Sequence, residues 1–353
     1  MSLLRGTHRI WITGIFLSFV SAGLVGEPVI SKAPSSVKPE LYARTMERAA
    51  QLPRLHSLLV SVDGELVEER YFNGAKRWRW ANLKSASKSV LSSLMGIALD
   101  RGYLESLQDP VAKFFPEYFD RETDPSRKTI TLEDLLTMRS GLESTSSRNY
   151  GRWVQSRDWV RHVLTRPMVE PPGGRMVYST GNTHLLSAIL TQATGMSTLE
   201  FARQYLGQPL SIQIHPWMRD PQGIYFGGNE MHLTPRAMLE IGKLYLNHGL
   251  RGRTRVVSKT WIQDSLEPRT YSRRNGYGYG YGWWNQPMVA HQVYFAWGYG
   301  GQFIFVVPDL RLVVVATSSP LPGRGRREHR QAIFDLLEQD ILPAIAQPAK
   351  NQD

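Results

Sequence analysis

The sequence predicts an α/β (α+β) fold: an antiparallel sheet built from both chain ends and flanked by helices, with a mainly helical inserted domain. Three observations predict it. Strand-like runs occur early, LLVSV at 58–62 and LVEERY at 66–71, and return late as YGYGWWN, VYFAW, GQFIFVV and RLVVVAT. Between them, about 105–230, the text is helical and rich in loops. With 42% hydrophobic residues in 353, the chain can bury a sizeable core. The expected boundaries are 45–104 together with 231–345 for the sheet domain and 105–230 for the helical one.

Taken in order, Arg5, His8 and Arg9 precede the apolar run IWITGIFLSFVSAGLV. A charged start, a short apolar middle and a small-residue exit read as a signal peptide over 1–22, cut after Ala22. A retained single-pass anchor is the alternative, but the run is short for a span of about 20 residues. Export predicts a periplasmic or secreted protein, touching membrane only through the leader if that is not cleaved. Residues 23–44, rich in Pro, Ser and Lys, read as a linker. Asp63-Gly64 between two strand-like runs signals a hairpin. A helix follows Ser85, with Val90, Leu91, Leu94, Ile97 and Ala98 forming its apolar stripe. Thr131 caps a helix that ends near Gly141, and another covers 182–194 before Gly195. Ser197 opens the next. Thr234-Pro235 starts a helix with apolar positions 237, 238, 241, 244 and 245 on one face. Pro308-Asp309 turns between the last two strands, and a helix over about 326–343 ends the fold.

Composition removes several chemistries. With no cysteine there is no disulfide, zinc thiolate or cysteine nucleophile. The nine histidines form no H-x-x-x-H or H-E-x-x-H pair, so a metal enzyme has little support and no cofactor is expected. The net charge of +11 raises nucleic acid or an anionic envelope as partners. The basic residues are mostly scattered, and the dense cluster RGRREHR at 324–330 reads as a solvated helix face. No nucleic-acid partner is expected.

The chemistry-bearing text begins with Ser85-Ala86-Ser87-Lys88. On a helix, positions i and i+3 share a face, so a hydroxyl and an amine can meet. Serine attacks only once a neighbour takes its proton, and a lysine can do this when burial disfavours its ammonium. The motif is weak by itself, since chance supplies about one or two copies in such a chain. Ser35-Ser36-Val37-Lys38 is such a copy, in the linker and running into Pro39. Only the Ser85 copy has an apolar helix to support it. Next, PPGGRMVYSTGN at 171–182 delivers Tyr178 to the mouth of a helix, where a phenol near a cation can shuttle a proton. Finally, AWGYGGQ at 296–302 places glycines where a substrate can approach backbone and a strand amide can meet an oxyanion.

In this order the three features resemble the serine β-lactamase/penicillin-binding-protein superfamily, and most closely its class C-like branch of esterases, D-aminopeptidases and 6-aminohexanoate-oligomer hydrolases. GIALDRGYLESLQDPVAKFFPEY, ITLEDLLTMRSGL and GGNEMHLTPRAMLEIGKLYLNHGLRGRTRVVSKTWI resemble intervening family text, and the likeness covers about 45–345. The resemblance implies that Ser85 is the acylated nucleophile, Lys88 its activating partner and Tyr178 the proton shuttle. It implies an oxyanion hole from the amides of Ser85 and Tyr299, with Trp297, Gly298 and Asn182 around the substrate. Two positions depart from the family pattern. Thr180 stands where Tyr-x-Asn has its asparagine, with Asn182 nearby. Ala296 stands where the third motif carries a lysine or histidine, whose cation helps hold a substrate carboxylate in β-lactam and peptidoglycan enzymes.

The expected function is therefore a serine hydrolase acting on a small amide or ester, with either Lys88 or Tyr178 as the base. The alternatives are a β-lactamase or D,D-peptidase, disfavoured by Ala296, and a non-catalytic envelope binding module, disfavoured by the intact Ser85, Lys88 and Tyr178. Tyr150, Trp153, Trp283 and Trp284 suggest aromatic cleft walls, with core packing as the alternative for each.

Overall fold

The computed structural model describes residues 39–119 and 124–345. The expected leader, most of the linker and the Ser35 copy of the motif lie outside the described residues. Helix α1 (Pro39–Ala50) begins inside the stretch read as a linker. Proline suits the first helical position, because its missing N–H would have no partner there anyway.

The sheet has eight strands: β1 (Leu55–Val62), β2 (Glu65–Tyr71), β3 (Thr270–Tyr271), β4 (Gly278–Tyr279), β5 (Trp284–Met288), β6 (His291–Gly298), β7 (Gln302–Val307) and β8 (Leu312–Ser318). Their spatial order is β2-β1-β8-β7-β6-β5-β4-β3, with every neighbouring pair antiparallel. The two chain ends meet where β1 pairs with β8, from Leu55 opposite Ser318 to Val62 opposite Leu312. The β1–β2 turn is Asp63-Gly64, both at positive φ (51° and 84°). That backbone matches the twist of the strands it joins and admits few residues besides Asn, Asp and Gly.

Both faces of the sheet are covered. Leu59, Ile304, Val306, Val313 and Val315 point into one core, and Leu58, Val60, Phe303, Phe305 and Val314 into the other. Burial on both sides explains why QFIFVV and LVVVATS are continuously apolar and do not alternate. The first core carries α2 (Ser87–Asp100), α3 (Thr180–Thr194) and α4 (Pro235–Leu246). The second is closed by α1 and α5 (Arg326–Asp335), which runs on to Ala344. Asp340, buried, ties these outer helices together through Arg44 and Arg48.

The helical insertion shares the first core. One apolar cluster runs from Leu59 and Val315 on the strands to Leu185 and Phe201 in the insertion. The insertion is thus a topological excursion that packs onto the sheet's own core, and this is what fixes Tyr178 relative to Ser85.

Helix α4 lies on the sheet so closely that a Cβ at Gly242 would come within 2.4 Å of Val313 Cγ1 and 2.9 Å of Ile304 Cγ2. On a free helix, Gly→Ala gains about 1 kcal/mol. Here Gly242→Ala is expected to destabilise by about 1–3 kcal/mol, because overpacking outweighs propensity. A urea midpoint shifted down at unchanged slope is the measurement.

Candidate active site

Ser85 lies in a tight turn, Lys84–Ala86, that leads directly into α2. The backbone before it is strained: Lys84 has φ of 49°, the left-handed region. Three bonds hold it there. Its N–H donates to Asn82 Oδ1 at 2.9 Å, and its ammonium reaches Glu230 Oε1 at 2.7 Å. Asn82 also donates to Glu230, and Ser87 Oγ donates to the Lys84 carbonyl at 2.6 Å. From the other side, the end of β6 presses backbone against backbone. A Cβ at Gly298 would sit 2.0 Å from the Leu83 carbonyl oxygen, so only glycine lets the strand come this close to the turn that presents Ser85.

Lys88, one helical turn on, is 1% exposed. Its Nζ lies 3.1 Å from Ser85 Oγ, 3.3 Å from Thr180 Oγ1 and 2.7 Å from the Gly228 carbonyl. Three neutral oxygens surround it, and no carboxylate bonds it. Burial therefore acts unopposed and pushes its pKa down to about 7. Tyr178 stands beside it, with Nζ 5.2 Å from the ring centroid. The ring stacks on Trp284 at 5.7 Å and meets the edge of Tyr279 at 6.2 Å. Burial pushes the phenol up to about 12, and its hydrogen-bond partner Ser85 acts in the opposite sense. Its backbone is tethered by Ser144 Oγ, which donates to the Tyr178 carbonyl at 2.6 Å.

Ser85, Lys88 and Tyr178 are thus brought together from two elements far apart in sequence. The other expected site residues divide. Gly298 abuts the Ser85 turn. Trp297 is half-buried, packed 5.7 Å from Trp284, and Tyr299 is exposed. Asn182 does not reach the lysine: it is fully buried, and its Oδ1 accepts from Ser140 at 3.1 Å. Thr180 takes the place beside the amine and is held there by Ser146, whose Oγ lies 2.9 Å from Thr180 Oγ1. Of the aromatic residues suggested as cleft walls, Trp153 and Trp283 are wholly buried, Trp283 against Tyr245 at 4.2 Å, and they are core. Trp284 supports Tyr178. Tyr150 is half-buried and accepts from Asn229, next to the Gly228 that binds Lys88. Ala296 is fully buried. No sequence signal marks Ser146 or the Glu230–Asn82 clamp, while Gly228 and Glu230 fall within text that carries the family resemblance.

Fold and site together are those of the β-lactamase/penicillin-binding-protein kind, and the chain spans less than two thirds of the length of the first curated relatives it matches. The family model described as Beta-lactamase matches residues 56–338, and the chain belongs to that family. It is 26% identical over 255 residues to the 6-aminohexanoate-dimer hydrolase of Paenarthrobacter ureafaciens, a match covering 68% of this chain and 63% of that relative. Among solved structures it superposes on EstCE1, described as a hydrolase with promiscuous acyltransferase activity, with a TM-score of 0.69 at 16% identity, covering 84% of this chain and 99% of that one. An octameric penicillin-binding-protein homologue from Pyrococcus abyssi gives 0.65 at 20% identity, covering 85% and 77%. At these identities the two structures share the fold.

The buried amine has a cost that can be measured. A drop from 10.5 to about 7 corresponds to roughly 4–5 kcal/mol against the charged form. The unfolded chain binds more protons than the native one between pH 7 and 10.5, so stability rises with pH across that window. Lys88→Met is expected to stabilise the fold by a few kcal/mol at pH 6, with the gain shrinking towards pH 10. Denaturant titrations of both proteins at the two pH values test this; an equal gain at both would place the amine's cost elsewhere.

Proposed function

We propose that the protein is an exported hydrolase that cleaves a small amide or ester through an acyl-enzyme on Ser85. Export rests on the N-terminal sequence alone. The observation that carries the chemistry is the 3.1 Å contact between Ser85 Oγ and an amine whose surroundings favour its neutral form at physiological pH. Lys88 is the base in this reading, and Tyr178, a neutral phenol throughout the working range, is the relay that hands the proton on.

In the first half-reaction the Ser85 hydroxyl gives its proton to Lys88 as Oγ bonds the substrate carbonyl carbon. The carbonyl oxygen becomes an oxyanion, held by the backbone N–H groups of Ser85 and Tyr299. Each such donor contributes about 2.7–4 kcal/mol to lowering the barrier. The tetrahedral species then expels the amine or alkoxide, which takes the proton from Lys88 through the Tyr178 hydroxyl. In the second half-reaction water enters, gives a proton along the same path and releases the acid, restoring the Ser85 hydroxyl.

Ala296 argues for amides and esters over β-lactams. Its side chain is fully buried, so the third motif presents no cation to a substrate carboxylate. The relative named 6-aminohexanoate-dimer hydrolase supports the same reading.

A fluorophosphonate probe with peptide mapping is expected to label Ser85, and Ser85→Ala to lose label and turnover of short-chain p-nitrophenyl esters by at least about a thousandfold. Tyr178→Phe is expected to lose about 10²–10⁴-fold. Linear amides and esters should turn over faster than a chromogenic cephalosporin. Because the amine must be neutral to accept a proton, kcat/KM should rise with pH to a plateau through an apparent pKa near 7. A profile flat from pH 5 to 9 would remove Lys88 as the base.

A further inference from the structure

The densest run of cations in the sequence is not merely a solvated helix face. Arg326 lies 4.1 Å from the Tyr299 ring centroid and Arg330 lies 5.2 Å from that of Trp297, so α5 carries its charge to the rim of the active site. The loop before α5 holds Leu321, 67% exposed between two prolines. Arg54 fixes that loop: it donates to the carbonyls of Ser319 and Leu321, and its own carbonyl accepts from the Ser319 N–H at 2.8 Å.

A second loop adjoins the first. Residues 72–80 read FNGAKRWRW, and Lys76, Arg77 and Arg79 are exposed around Trp78, which is itself 69% exposed. Lys76, Arg79 and Trp80 share a depression with His56 and Thr317, beside the Arg54 clamp. Arg54 and Arg79 both hold down the pKa of His56, after burial. The two loops therefore make one surface. No Asp or Glu occurs in 71–99 or in 310–327. Of the acids that flank these runs, Glu69 is engaged by Arg236 and Tyr71, Asp100 by the Ser258 N–H and Asp309 by His291, which leaves Glu328 on α5.

Two exposed apolar tips, a tryptophan and a leucine, ringed by cations are what a bilayer interface selects. The indole settles at headgroup depth, the leucine just below it, and the guanidinium and ammonium groups meet lipid phosphates. A soluble polyanion would use the cations but gain nothing from exposing Trp78 and Leu321. We propose that loops 72–80 and 319–325, with the start of α5, seat the protein on an anionic lipid bilayer, with Trp78 and Leu321 entering the headgroup region. Docking does not depend on the hydrolase reading. Its consequence does: the active-site rim at Trp297 and Tyr299 then opens beside the membrane surface.

The chain has no cysteine, so one introduced thiol can be labelled uniquely. Trp78→Cys and Leu321→Cys in the full chain would each carry an environment-sensitive nitrobenzoxadiazole. Tyr271→Cys, 63% exposed on β3 at the opposite edge of the sheet, is the control. With vesicles of two parts phosphatidylcholine to one part phosphatidylglycerol, both loop labels should brighten and shift to the blue, and the control should not. Pure phosphatidylcholine should give no response. Lys76→Glu/Arg77→Glu/Arg79→Glu, followed through the label at 321, should weaken partitioning at least about fivefold per reversed charge. The proposal is overturned if the loop labels keep their aqueous emission on vesicles that sediment with the protein, which places the contact at another segment. It is equally overturned if inorganic polyphosphate binds the protein while vesicles leave both labels unchanged. Because the readout needs no turnover, its failure is distinct from failure of the hydrolase reading.

Discussion

The site depends on one buried amine. Lys88 is sealed from water and meets only neutral oxygens: the Ser85 and Thr180 hydroxyls and the Gly228 carbonyl. A carboxylate in that shell would stabilise the ammonium and return the pKa towards that of an ordinary lysine. The neutral amine is therefore favoured by what is kept away from it as much as by what touches it. Tyr178 completes the pair in the opposite sense, since the same burial that favours a neutral amine favours a neutral phenol. The same burial thus sets both protonation states at once, a neutral amine and a neutral phenol.

Such an arrangement is unfavourable in isolation, and the surrounding fold carries it. The left-handed Lys84 and the desolvated Lys88 each oppose folding by about one to several kcal/mol. They persist because the segments that bear them are pinned on several sides. Asn82 and Leu83 run alongside His232 and Met231, Glu230 clamps Lys84 and Asn82, and Ser89 Oγ donates to the Gly282 carbonyl at 2.6 Å. The stretch 228–233 serves both lysines, one through a carbonyl and one through a carboxylate. It leaves Lys84 a charged partner and denies one to Lys88, four residues away. Two lysines so near in sequence thereby acquire opposite electrostatic roles.

Much of this was legible because it is local. Period and turn chemistry mark the strands, the Asp63-Gly64 hairpin and the α2 stripe, and i to i+3 spacing places Ser85 near Lys88. What was not legible is remote in sequence. The partners of Lys88 and Lys84 lie 92, 140 and 146 residues away, and no local pattern announces them. Asn182 was misplaced for a geometric reason. It lies two residues beyond Thr180 on α3, and positions i and i+2 of a helix face away from each other. If Thr180 points at the amine, Asn182 must point into the core. Trp153 and Trp283 were ambiguous because bulk and aromaticity are the same at a wall and in a core. The basic run at 324–330 read as solvated because its targets, Trp297 and Tyr299, lie on another strand end. Spacing of four does put Arg326 and Arg330 on one face.

Strand geometry limits what the third motif can do. Alternation along β6 sends Ala296 into the first core and Trp297 into the second, while Gly298 returns to meet Leu83. A cationic side chain at 296 would have to be buried among apolar neighbours, at a desolvation cost no paired carboxylate there offsets. Losing that cation is thus consistent with the packing around it, not an isolated change. What remains at the mouth is aromatic: Trp297 against Trp284, and Trp284 against Tyr178. Flat apolar surfaces discriminate by shape and area, and a missing methylene typically alters recognition by only about 1–3 kcal/mol. Under the proposed function, such a mouth tolerates variation in the acyl group and leaves rate to the Ser85–Lys88–Tyr178 geometry. If substrate choice is relaxed in this way, the proposed docking on a membrane surface supplies a second source of selectivity.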